Sequence, residues 1–336
     1  MSSAIDLHAH WVPPALAQAL RARAGRVPRI EPVPEAEPVP GGERLVMPIG
    51  TLAFDAAYAD PALRIAQMAA TGVARQLLSL PGLFGVDSLP LHEAAPLVRG
   101  FNEDCAALCR AHPAHFAGLA ALPLADIDAA VAELRHARRT LGLLGAILPV
   151  DAFRSEAAAQ RLLPLLQAGD ALGAHFFVHP GRMPGDGLGP PGAPPDHVLA
   201  RRALAVQHEV GEAMVTLLLS DLLAPWPHVT VQVANLGGTF AAVVERMDHM
   251  VQLRDPALPL PSARARRVWV DCASLGPQAL RQAVALFGAD RVVLGTDCPI
   301  FDTRRTLDGV AAAGLSEAER AQVLHGNART LLQRLA

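Results

Sequence analysis

The sequence predicts an α/β fold, a (β/α)8 TIM barrel with a small insertion after its first strand. Eight short apolar segments, mostly β-branched or aliphatic and lacking apolar/polar alternation, read as parallel strands buried on both faces. Helical patterns separate them over roughly 300 residues, the length of one barrel. No GxGxxG follows the first strand, which argues against an open doubly wound sheet.

The strands are predicted over 5–8, 76–79, 116–120, 145–148, 175–178, 229–233, 268–271 and 292–295. A helix over 61–71 places Leu63, Ile65, Met68 and Ala69 at helical spacing. Asp126 is placed to cap a helix over 127–139, and another over 155–167 opens with Ser155 and Glu156. A helix over 277–287 has proline at a tolerated first-turn position. Two stretches break the alternation. The insertion at about 26–50 is proline-dense over 28–42, which implies extended chain, and ends in a short strand over 44–49 outside the barrel. A Gly/Pro-rich loop covers 180–195. Both follow predicted strands, so both belong to the C-terminal face, where barrel active sites lie. The tail over 316–336 reads as two short helices parted near His325-Gly326-Asn327. The whole of 1–336 is one domain.

Composition narrows the function classes. Hydrophobic residues make up 51% and charged residues 18%, which excludes wholesale disorder. The net charge of -3 without a basic block argues against nucleic acid or an anionic membrane as partner. No apolar run reaches the length of a membrane span, no secretory signal is read, and four cysteines do not make a disulfide framework. A cytoplasmic protein is expected. All 29 basic residues are arginine. Without lysine there is no Walker-A loop, no Schiff-base or pyridoxal-phosphate lysine, and no lysine carbamate bridging two metals.

Four side chains at C-terminal strand ends carry the chemistry. His8 and His10 form His-Ala-His, and strand periodicity points both imidazoles to one face. His179 ends the fifth strand, which Pro180 terminates. Asp297 follows the eighth, in Leu-Gly-Thr-Asp-Cys-Pro. Together they offer three nitrogens and one oxygen with a position left open, which suits one divalent metal: Zn2+ foremost, Mn2+ or Fe2+ as alternatives. His175, about 13 Å lower on the same strand as His179, belongs to the barrel floor.

Asp-Leu-His-Ala-His, Val-His-Pro, Leu-Gly-Thr-Asp-Cys-Pro and the terminal Gly-Asn-Ala-Arg-Thr-Leu-Leu resemble the amidohydrolase-related family typified by aminocarboxymuconate-semialdehyde decarboxylase. The segment from Leu63 to Met68, Phe101-Asn102-Glu103 and His112-Pro113 fall in the expected order. The resemblance spans nearly the whole chain. It implies the barrel, one divalent metal on the same four ligands, and a homodimer. At one place the pattern breaks: where such proteins carry a histidine after the sixth strand, this chain has Asn235. An amide has no pKa near neutrality and cannot act as general base, though it can hydrogen-bond. Either Asp297 then carries the proton transfers unaided, or another group replaces the histidine, or catalysis is lost.

Substrate-facing candidates are Trp11, placed to stack on a planar molecule, Arg44 and Arg182, placed to grip a carboxylate, and Phe54 and Phe84 as an apolar wall. The expected activity is non-oxidative decarboxylation of a small aromatic or unsaturated carboxylate. The alternatives are hydrolysis of a small ester, lactone or amide, and a degenerate protein that binds metal and a small acid without turnover.

Overall fold

The computed structural model describes residues 3–33, 42–185, 196–273 and 275–335. Eight parallel strands, each followed by helix, form the barrel: β1 (Ala4–His10), then, after a three-stranded insertion, β5 (Val73–Ser79), β6 (Phe116–Gly118), β7 (Gly145–Pro149), β8 (His175–His179), β9 (Thr230–Val233), β10 (Trp269–Asp271) and β11 (Val292–Val293). They hydrogen-bond as two arcs, β1-β5-β6 and β7-β8-β9-β10-β11. Parallel bridges at Ala120–Ala146 and Ala9–Cys298 join the arcs at both seams. The second seam is tightened by Leu7 N donating to Leu294 O at 2.8 Å and His10 N to Cys298 O at 2.7 Å.

The eight predicted strands are all present, because a strand buried on both faces advertises itself by continuous apolar character. The helices Pro61–Thr71 and Pro277–Phe287 keep their predicted bounds; the first is capped by Asp60 and closed by Gly72 in the left-handed region. Two helix expectations are corrected. The stretch 155–167 is two helices, Glu156–Gln160 and Leu163–Leu172, and the second restarts with Pro164 in its first turn. A proline inside one continuous helix would remove a hydrogen bond and clash with the preceding turn. The helix Ile127–His136 stops short of Arg139 and opens into a wide turn over Ala137–Leu141, closed by Gly142.

The insertion holds more structure than expected. β2 (Arg29–Pro32), β3 (Glu43–Met47) and β4 (Gly50–Phe54) make an antiparallel sheet, so part of the 28–42 stretch is strand. Residues 34–41 lie outside those described, as do 186–195 of the loop at 180–195. Proline at Pro28 and Pro32 sits at the borders of an edge strand, where the ladder tolerates it.

The barrel interior is packed by Leu7, Leu77, Ile147, Phe177 and Val293, and closed below by Leu331 and Leu335 of the terminal helix Asn327–Leu335. Above this apolar layer the strand ends turn polar, and the functional side chains stand there.

Candidate metal centre

β1, β8 and the turn after β11 bring His8, His10, His179 and Asp297 together, with one donor atom from each lying within 4.8 Å of the others. All four are buried. His8 rests on the Phe177 ring at 4.8 Å, and its ring stands edge-on to His179 at 4.9 Å. Asp297 reaches in from a left-handed backbone (φ 58°), a conformation that costs a non-glycine residue about 1–3 kcal/mol. Its N–H donates to His8 O at 2.8 Å, which fixes that turn against β1.

Each imidazole is oriented from behind through Nδ1: His8 by Asp271 Oδ1 at 3.0 Å, His10 by Ser79 Oγ at 3.1 Å, His179 by Pro180 O at 2.9 Å. Donation from Nδ1 leaves a lone pair on Nε2, and these lone pairs face inward. His8 Nε2 and His10 Nε2 are 3.2 Å apart, and Asp297 Oδ1 is 3.0 Å from His10 Nε2 and 3.4 Å from His8 Nε2. Asp297 Oδ1 is buried without a hydrogen-bond donor. Converging lone pairs around an orphaned carboxylate oxygen repel one another unless a cation sits among them, so the donor set fits a divalent metal.

The electrostatics agree. Burial favours neutral His8, yet the Asp271 and Asp297 carboxylates override it and push His8 up to about 10. Burial opposes ionisation of Asp297, but His8 and His10 hold its carboxyl well below the usual range. Burial and the adjoining imidazoles hold His179 low, and burial lowers His10. The carboxylates thus call for positive charge among the imidazoles, which the His8 imidazolium meets unless a cation takes its place.

Other predicted residues occupy varied places. Asn235 follows β9 in a turn where it and Leu236 both take left-handed backbone (φ 56° and 54°). Its N–H donates to Asp271 Oδ1 at 3.3 Å, and its Oδ1 is buried and partnerless. Phe84 lies 6.4 Å from His10, ring to ring, and continues through Tyr58 to Phe54, which stacks on Tyr58 at 5.2 Å. Trp11 is buried with its indole N–H on Ala59 O. The Arg182 guanidinium is engaged by Asp151 at 3.0 Å and Glu209 at 2.8 Å. Arg44 pairs with Glu31 across the small sheet at 2.8 Å. A substrate carboxylate would have to compete with those partners. His175 is buried at the foot of β8 against Thr230 Oγ1, and burial lowers it to about 4.

Several contributors are missing from the sequence reading. Asp271 accepts from His8 Nδ1, Asn235 N and Ala273 N at Oδ1, and from Gln232 Nε2 at Oδ2. Asp6 ties His8 N to Thr296, and Gln76 links it to Arg64, whose Nη2 holds His10 O at 2.9 Å. Polar residues at predicted strand ends were the available signal for Asp271 and Ser79. Tyr58 gave none, because its place depends on how the insertion folds back.

With this geometry in view, the family profile described as amidohydrolase matches residues 5–334. The chain belongs to the amidohydrolase family. This amidohydrolase is 27% identical over 282 residues to 2-amino-3-carboxymuconate-6-semialdehyde decarboxylase of Dictyostelium discoideum, covering 81% of this chain and 76% of that one. It is 28% identical over 291 residues to gamma-resorcylate decarboxylase of Rhizobium radiobacter, covering 80% and 86%. Its fold matches a dihydroxybenzoic acid decarboxylase of Polaromonas, solved with manganese and the inhibitor 2-nitroresorcinol, at TM-score 0.73 and 22% identity over 99% of this chain and 97% of that chain. No described helix is long and apolar enough to cross a membrane.

Proposed function

We propose that this amidohydrolase is a mononuclear metal-dependent carboxy-lyase that decarboxylates a small aromatic carboxylate without oxidation. The observation that carries the reading is the buried cluster of His8, His10, His179 and Asp297 with its inward-facing donor atoms. Similarity to decarboxylases of carboxymuconate semialdehyde and resorcylate supports the reaction class.

The four residues would hold one divalent cation. Zn2+ is the expected ion on this donor set, and the manganese of the Polaromonas relative makes Mn2+ the first alternative. When bound, the ion supplies Lewis-acid polarisation of a substrate oxygen. The protein does the rest. Asp271, Ser79 and Pro180 O keep the imidazoles in one tautomer. Phe84 and the Tyr58–Phe54 stack offer a flat apolar wall beside His10. Asp297 takes the substrate hydroxyl proton and delivers it to the ring carbon bearing the carboxylate. The C–C bond then breaks, its electron pair restores the ring, and CO2 leaves. The Asn235 amide, partnerless at Oδ1, accepts a hydrogen bond from substrate or water but moves no proton.

Asn235 also favours a second reading, binding of metal and a small acid without turnover, and it weakens the hydrolytic alternative, which needs a base for water. A homodimer in the cytoplasm accompanies the primary reading. Headspace CO2 from a panel of hydroxybenzoates, with elemental analysis of the protein, tests it. CO2 release with close to one metal per chain is expected; metal without CO2 release supports the binding protein, and a chain that takes up no metal defeats both.

A further inference from the structure

A second cavity, of about 320 Å3, opens at the opposite end of the barrel, where β9 and β10 begin. Val229, Thr230 and Trp269 lie at strand starts there, whereas the metal cluster occupies strand ends. Its charge is one-sided. Arg266, Arg267, Arg291 and Arg334 line it, and no acidic side chain among the described residues does.

These guanidiniums are held by carbonyls more than by carboxylates. Arg267 Nη1 donates to Leu218 O and Ser220 O at 3.2 Å, Arg291 Nε to Arg266 O at 3.0 Å, and Arg334 Nη2 to Pro227 O at 3.2 Å. Arg266 pairs with Asp290 at 2.7 Å. Carbonyl anchoring fixes position without cancelling charge, so the remaining N–H groups are preorganised for an oxyanion. In a chain with net charge -3, three arginines that meet no carboxylate among the described residues form a local exception.

The apolar part of the lining has its own character. Arg291 lies over the Trp269 ring at 5.0 Å. Trp226, Val229 and Val231 supply flat apolar surface, and the Trp226 indole Nε1 is buried without a partner. A volume near 320 Å3 lies at the small end of ligand pockets and suits a single ring.

We propose that this cavity is a second binding site, separate from the metal centre, for a single-ring aromatic carboxylate. The carboxylate meets Arg267 and Arg334, and the ring lies against Trp226 and the valines. Occupancy links the foot of β9 and β10 to the terminal helix through Arg334, so it braces the barrel floor.

Two of the three tryptophans line this cavity, and the third, Trp11, is next to the metal cluster. Tryptophan emission of the full chain is therefore titrated with benzoate, and separately with inorganic phosphate. A saturable change with Kd on the order of 1 mM or tighter is expected for benzoate. It persists in Trp11→Phe, shrinks in amplitude in Trp226→Phe with Trp269 still reporting, and weakens roughly tenfold in Arg334→Gln and in Arg267→Gln. Arg334→Gln keeps the test open if loss of the Arg267 carbonyl bonds impairs folding. Binding that survives both arginine changes, a change lost only in Trp11→Phe, no saturation by about 10 mM, or phosphate binding as tightly as benzoate would each overturn the assignment. The titration needs no turnover, so its outcome is independent of the CO2 assay.

Discussion

Replacing Asp271 by asparagine tests the most connected side chain behind the metal cluster. Asp271 Oδ1 accepts from His8 Nδ1 (3.0 Å), Ala273 N (3.1 Å) and Asn235 N (3.3 Å), while Oδ2 accepts from Gln232 Nε2 (2.9 Å). Asparagine keeps the shape but turns one acceptor into a donor. Its NH2 placed at Oδ1 would face three donors, so it must sit at Oδ2, opposite the Gln232 amide nitrogen. Turning the Gln232 amide over removes that conflict but gives up the bond from Nε2 to Leu7 O at 3.1 Å. One buried polar group is left unpaired either way, at about 1–3 kcal/mol. Loss of the carboxylate charge also weakens the pull that fixes the His8 tautomer, and such partners are worth about 10–100-fold in metal affinity. The expected phenotype is a 10–100-fold weaker hold on Mn2+ in competition with a chelator, about 1.4–2.8 kcal/mol, with metal-free Tm lower by about 1–4 °C. Metal affinity within about twofold of wild type, at unchanged Tm, would refute the tautomer argument.

Further outcomes are expected elsewhere in the molecule. His179→Ala removes one inward donor, so metal content measured on purified protein should fall well below one ion per chain and CO2 release should drop by about 100-fold or more. Gly295→Ala places a Cβ 2.7 Å from His8 Cβ and 2.8 Å from Asp271 Cβ, so it should cost about 1–3 kcal/mol in denaturant unfolding and weaken metal retention. Asn235→His restores an imidazole where the family pattern has one; enhanced CO2 release would mark the asparagine as a loss, and reduced release would mark it as suited to this chain's own substrate. Asp87 is buried with a partnerless Oδ1, and burial raises its carboxyl from 3.8 to about 7. Between those values the folded chain keeps the proton and the unfolded chain has lost it, so stability falls as pH rises from about 4 to about 7, by up to about 4 kcal/mol. Asp87→Asn should flatten that slope and raise Tm at pH 8 more than at pH 5, followed by circular dichroism.

The sequence by itself determined the barrel strands and the metal-ligating residue types. Strands buried on both faces must be continuously apolar, and histidines two apart on a strand must share a face. Apolar spacing marked the helix Pro61–Thr71, and a first-turn proline marked Pro277–Phe287, both to the residue. Where the outcome rested on partners far along the chain, local pattern fell silent. The proline-dense insertion paired into a sheet through residues well separated in sequence, such as Glu31 opposite Arg44, 13 positions on. Asp271 reached His8 across 263 positions, and Arg182 was engaged by Asp151 and Glu209 from two other segments. Only the assembled strands decided which carboxylate faces which imidazole, since that contact is set by strand order and register, to which residues distant in sequence contribute together.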